Sequence, residues 1–86
     1  MKTPKLTYED TLKLMHEGWE LLEFGPPMYR QCLIRGNSIK RGLHNPVSSR
    51  IHRAGLVDPA DTGDLIVCRY KLSAMGHILA EELLKN

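Results

Sequence analysis

Two stretches decide the fold: Asn45-Pro46-Val47-Ser48-Ser49-Arg50-Ile51-His52-Arg53-Ala54-Gly55-Leu56-Val57, and Leu65-Ile66-Val67-Cys68-Arg69-Tyr70-Lys71-Leu72-Ser73-Ala74-Met75-Gly76. In the first, Asn45 reads as a helix cap and Pro46 as the first helical residue, where its missing N–H costs nothing. Val47, Ile51 and Ala54 form the inward stripe of a short helix, and Gly55 supplies the left-handed residue that ends it. Ser48, Ser49, His52 and Arg53 are left facing out, with Arg50 at the border. In the second, Leu65 to Leu72 reads as a strand whose Ile66, Cys68, Tyr70 and Leu72 share one face by period-two alternation. Leu72 pins the strand end to the core and Ser73 caps a last helix carrying Met75, Ile78, Leu79 and Leu83. Gly76 lets that helix pass close to a neighbouring backbone. Asp58 to Asp64, with Pro59 and Gly63, reads as a loop between the two stretches.

Upstream, Thr7 caps a first helix with Glu9 and Asp10 in its opening turn. Tyr8, Leu12, Met15 and Trp19 recur at helical spacing, and Gly18 marks the helix end. Trp19–Phe24 and Tyr29–Ile34 are apolar-rich runs around Gly25-Pro26-Pro27-Met28, which predicts a β-hairpin; a helix running on to Glu23 is the competing reading. Gly36 to Asn45 is polar, and Ser38 to Leu43 is read as a single helical turn or a loop. The sum is one small α+β domain over 1–86: helix, β-hairpin, short helix, strand, C-terminal helix.

Eighty-six residues suffice for a single domain with one small core. No apolar run approaches the roughly 18–20 residues of a membrane-spanning helix, and Met1–Lys5 lacks the apolar stretch of a signal peptide. Two cysteines make no disulfide framework, so a cytoplasmic setting is expected, without a membrane partner. Cys32 and Cys68 lie in apolar strand-like runs and read as reduced, buried small hydrophobes. Neither Cys-x-x-Cys nor His-x₃-His spacing occurs, so no metal and no cofactor is expected. His16 and His77 fall in helices at opposite ends of the chain and suggest nothing shared. Asp58, Asp61 and Asp64 lack the alternation and closing Glu of a calcium loop and read as a polar turn.

Charge is segregated along the chain. Residues 1–23 hold three lysines against five carboxylates, and residues 58–86 hold three cations against five carboxylates. From Phe24 to Val57 there is no Asp or Glu, while Arg30, Arg35, Lys40, Arg41, Arg50 and Arg53 are all cationic. A stretch of one sign concentrates positive potential and is the usual footprint of a polyanion site, although a solvated face balanced by acidic neighbours has the same composition.

From Asn45 onwards the chain resembles the second half of a winged-helix domain. Bacterial regulators of the MarR type end their recognition helix in a Gly-Leu-Val-like step, here Gly55-Leu56-Val57. They then cross a wing and restart a helix at Leu-Ser/Thr-x-x-Gly, here Leu72-Ser73-Ala74-Met75-Gly76. Small winged-helix-like proteins of phages and mobile elements are similar over the full length. The resemblance implies a DNA-binding regulator or accessory factor whose helix 46–54 enters the major groove. Ser48, Ser49, Arg50, His52 and Arg53 would then meet base edges and phosphates, and Lys40 and Arg41 would clamp phosphates. The acidic wing, Asp58-Pro59-Ala60-Asp61-Thr62-Gly63-Asp64, is expected to stay off the DNA. It favours the alternative, a protein-interaction module such as a phage-encoded inhibitor or adaptor on the same scaffold. A homodimer through the apolar edge of the last helix, Leu79, Leu83 and Leu84, would raise the affinity of so small a module. Catalysis is the weakest class: His52 lies one turn from Ser48 with no visible orienting acid, and Gly36 and Gly42 open no phosphate-binding loop.

Overall fold

The computed structural model describes residues 5–25, 30–60 and 67–85. The elements run α1 (Tyr8–His16), β1 (Glu20–Phe24), β2 (Gln31–Arg35), β3 (Ser38–Lys40), α2 (Asn45–Arg53), β4 (Val57–Ala60), β5 (Val67–Leu72) and α3 (Ala74–Leu84). The strands form one antiparallel sheet in the order β3-β2-β1-β5-β4. The α+β class is therefore as expected, with two strands more than the sequence reading placed.

Thr7 caps α1 as expected, its hydroxyl accepting from Asp10 N at 3.0 Å. The chain then turns into β1, and the pairing of Glu20 with Ile34 through Glu23 with Gln31 realises the hairpin in place of a longer helix. Its turn, Pro26 to Tyr29, lies outside the described residues. Ser38 to Lys40 is neither helical turn nor loop: it pairs with β2, with Arg35 opposite Ser38 and Leu33 opposite Lys40. The reason is the two-residue connection Gly36-Asn37, with Gly36 at φ +59°, which closes a hairpin onto the open edge of β2. Asp58 and Pro59 likewise belong to a strand, since β4 pairs with β5 from Val57–Leu72 to Ala60–Arg69. Pro59 is tolerated there because β4 is an edge. Asp61, Asp64, Leu65 and Ile66 lie outside the described residues.

Cross-strand partners share a face, so the register sorts the sheet into two sides. One side presents Leu21, Glu23, Leu33, Tyr70 and Leu72, and the helices pack on it: Leu21, Leu33, Leu12 and Ile51 are fully buried together with Met15, Trp19, Leu43, Leu56 and Ala80. The other side presents Leu22, Phe24, Cys32, Ile34, Ile39 and Val67, of which Ile39 is 59% exposed. The two cysteines fall on opposite sides and are free; Cys32 is buried, whereas Cys68 is exposed, contrary to the expectation of a second buried thiol.

The segment from α2 to α3 is held by a compact joint. Ala54 caps α2, and Gly55 follows at φ +70°. Gly55 N donates to His52 O at 3.1 Å and Leu56 N to Ile51 O at 3.2 Å, the pair of bonds that satisfies the last carbonyls of a helix closed by a left-handed residue. Leu56 O in turn accepts from Ser73 N at 2.9 Å. Ser73 caps α3, accepting from Gly76 N at 3.2 Å and donating to Gly55 O at 2.8 Å. A Cβ on Gly76 would stand 2.3 Å from Leu56 O, which is why only glycine fits there. On α3, Leu79 and Leu83 are packed against the core and do not form a free edge; the exposed apolar residues are Met75, Ile78 and Leu84.

Candidate nucleic-acid interface around the second helix

The first turn of α2 differs by one residue from the sequence reading. His44 is the N-cap, in extended geometry without a side-chain capping bond, and Asn45 opens the helix ahead of Pro46. The Asn45 side chain is turned instead to β2, where its Oδ1 accepts from Gln31 Nε2. No acid occupies the first turn of α2, while Arg50, His52 and Arg53 occupy the last, as the helix dipole favours.

The inward face of α2 is Val47, Ser48, Ile51 and His52, so two residues expected to face out are turned to the sheet. Ser48 is buried and Ala54, expected inward, is exposed. The cause lies in β1. Alternation puts Glu23 on the same side of the strand as the buried Leu21, beneath the helix. Ser48 Oγ donates to Glu23 Oε2 at 2.5 Å, and His52 Nε2 lies 3.0 Å from the same oxygen. The His52 ring stands edge-on to Tyr70, with centroids 4.5 Å apart and planes at 84°. Burial pushes the Tyr70 phenol up from its ordinary value, reinforced by the Cys68 thiol and the Glu23 carboxylate.

Serine, histidine and an acid thus meet, and Glu23 is an acid that the sequence did not reveal beside Ser48 and His52. Their wiring is a latch. Ser48 has one hydroxyl proton and gives it to Glu23, and His52 aims Nε2 at the same carboxylate oxygen. A nucleophilic serine needs its proton pointed at the imidazole, with the acid on the far ring nitrogen. The arrangement ties α2 to the sheet through hydrogen bonds to one carboxylate oxygen.

The remaining candidates divide. Ser49 and Arg53 border a cleft beside α2 together with Ser48, His52 and Glu23. Arg41 borders a second cleft of about 510 Å³ with Arg30, His44, Cys32 and Ile39. The two adjoin, sharing Phe24, Gln31 and Asn45. Glu23 is the one acid among the described residues that line them. Burial pushes the Cys32 thiol in the second cleft up, and the Arg41 guanidinium partly offsets this. Two residues expected at the interface lie elsewhere. The Arg50 guanidinium covers the Tyr8 ring at 4.0 Å, and the Lys40 ammonium lies 5.2 Å from the Trp19 centroid, with Arg35 on the same ring at 4.9 Å. Arg30, counted in the acid-free stretch but not among the expected contact residues, lines this cleft with residues of β2, β3 and the start of α2, so nothing local to it signals the cleft. Comparison with protein-family models, with curated proteins and with solved structures finds no match.

Proposed function

We propose that this chain is a small winged-helix-like DNA-binding protein of the cytoplasm, a regulator or accessory factor that holds duplex DNA against the start and outer face of α2. The observation that carries this reading is the pair of adjoining clefts beside α2, rimmed by Arg30, Arg41 and Arg53, whose single acid among the described lining residues is engaged by Ser48 and His52. Three guanidiniums and a helix start free of acid make a site for phosphates, and Ser49 and Arg53 extend it towards base edges. The order of α2, the β4–β5 hairpin and α3 restarting at Leu72-Ser73-Ala74-Met75-Gly76 supports the winged-helix reading. In place of a helix before the recognition helix, the chain has the β2–β3 hairpin, which delivers Arg41 from its end. Catalysis forms no part of this reading, since the latch directs the serine proton to the acid. A second reading, a protein-binding module or homodimer, is favoured by the exposed Met75, Ile78 and Leu84 on α3.

Fluorescence anisotropy of a labelled mixed-sequence duplex, titrated at low and higher salt, tests the DNA reading. Binding with a log–log salt slope of about −3, reduced in magnitude by about one in each of Arg41→Ala and Arg53→Ala, is expected. No binding at low salt would sink it and leave the protein-binding reading.

A further inference from the structure

α1 and α3 pack side by side, and each brings a histidine to the place where they meet. His16 is the last residue of α1 and His77 lies in the first turn of α3. Their Nδ1 atoms are 3.0 Å apart in a solvent-exposed contact, with ring centroids at 5.2 Å and planes at 62°. The sequence reading saw nothing shared between them, because 61 residues separate them and only the packing of the two helices closes the gap.

We propose that His16 and His77 form a two-histidine site for a divalent transition metal of the Zn²⁺, Ni²⁺ and Cu²⁺ class, a clasp between α1 and α3. Imidazole nitrogens bind such ions at about 2.0–2.1 Å, so two of them 3.0 Å apart subtend about 94° at a common metal. That is close to the cis angle of square-planar and octahedral coordination, and a tetrahedral ion asks for only about 0.3 Å more separation. Imidazole donors select these ions over Ca²⁺ and Mg²⁺, which take oxygen. In the metal-free pair one Nδ1–H donates to the lone pair of the other ring. On binding, that proton moves through water to Nε2 of its own ring, leaving both Nδ1 lone pairs for the metal and neither ring charged. The helix dipoles give no net help, since the end of α1 favours a cation at His16 and the start of α3 opposes one at His77. Among the described residues no group of three or more histidine, cysteine or acidic side chains converges as a metal cage. Water therefore completes the coordination, and the site is weaker than a closed four-ligand one.

The test is isothermal titration of tag-free protein with NiCl₂ and separately ZnCl₂, with thermal melts followed by circular dichroism. One equivalent binding in the micromolar range and a Tm that rises with metal concentration are expected. His16→Asn and His77→Asn should each weaken binding about tenfold or more and abolish the Tm rise while keeping the native spectrum. Cys68→Ser, which removes the exposed thiol, should leave both readouts unchanged. Absence of binding by the unmodified chain at micromolar metal overturns the proposal, and so does binding retained by either histidine variant.

Discussion

Two joints fasten α2 to the rest of the molecule, and they are built from different materials. The joint at its end, where Gly55 and Leu56 meet Ser73 and Gly76, consists of backbone hydrogen bonds, the bonds of the Ser73 hydroxyl to backbone groups, and steric fit, and Leu56 and Ser73 are both buried. The joint at its middle, where Ser48 and His52 meet Glu23, consists of side chains around one carboxylate that remains partly open to water. A backbone contact with no spare volume tolerates no added atom, whereas a half-exposed polar latch can exchange one partner for water. The first joint therefore sets the fold. The second sets which side chains α2 offers to a ligand.

The sharpest way to break this contrast is Gly76→Ala. The added methyl meets Leu56 O and Leu72 Cδ2, so α3 must shift away from the α2 end. A loss of about 3 kcal/mol or more in urea unfolding is expected. A loss below about 1 kcal/mol would show that the joint yields.

Glu23→Gln compares the second joint with the first on a finer scale. It keeps the shape and removes the charge that both Ser48 and His52 engage, for an expected loss of about 1–2 kcal/mol. It also removes the acid from the basic clefts, so duplex affinity should rise even as stability falls. Stability and affinity falling together would mean that the latch positions the interface more than its charge opposes DNA.

The smallest expected effect is on alkaline stability. Cys32 and Tyr70 both have folded pKa values raised, chiefly by burial. A raised acid contributes stability that is complete below the unfolded pKa and is lost as pH rises through the folded one. Tm should therefore begin to fall above about pH 9 for the thiol and above about pH 10 for the phenol. Cys32→Ser removes the first part of the decline. In the same pH range iodoacetamide should label Cys68 well before Cys32, since only Cys68 is exposed.

How far the site could be read from sequence follows from the range of each interaction. The caps at Thr7 and Ser73, the stop at Gly55 and the close approach at Gly76 were legible, because each is decided within a few residues or by the lack of a side chain. The strand at Ser38–Lys40 was legible in principle from Gly36-Asn37 between two short runs, a hairpin signal outweighed by the polarity of the segment. Glu23 was not singled out, although alternation from Leu21 along the expected hairpin strand puts it on the same face. The inward turn of Ser48 and His52 was not legible: the apolar stripe Val47, Ile51 and Ala54 points to a different face, and the helix rotates to meet an acid 25 and 29 residues away.

The sequence by itself determined the local punctuation of this protein, its α+β class and the segregation of cations into one acid-free stretch, since all of these depend on residue type and near neighbours. Only the tertiary structure decided which cations gather. It sets Arg30 and Arg41 along a cleft at the start of α2 and Arg53 along the adjoining one, while the Lys40 and Arg50 side chains lie over Trp19 and Tyr8. It likewise brings His16 to His77. These are contacts between side chains far apart along the chain, and their geometry is fixed only when the sheet register and the packing of the helices are fixed together.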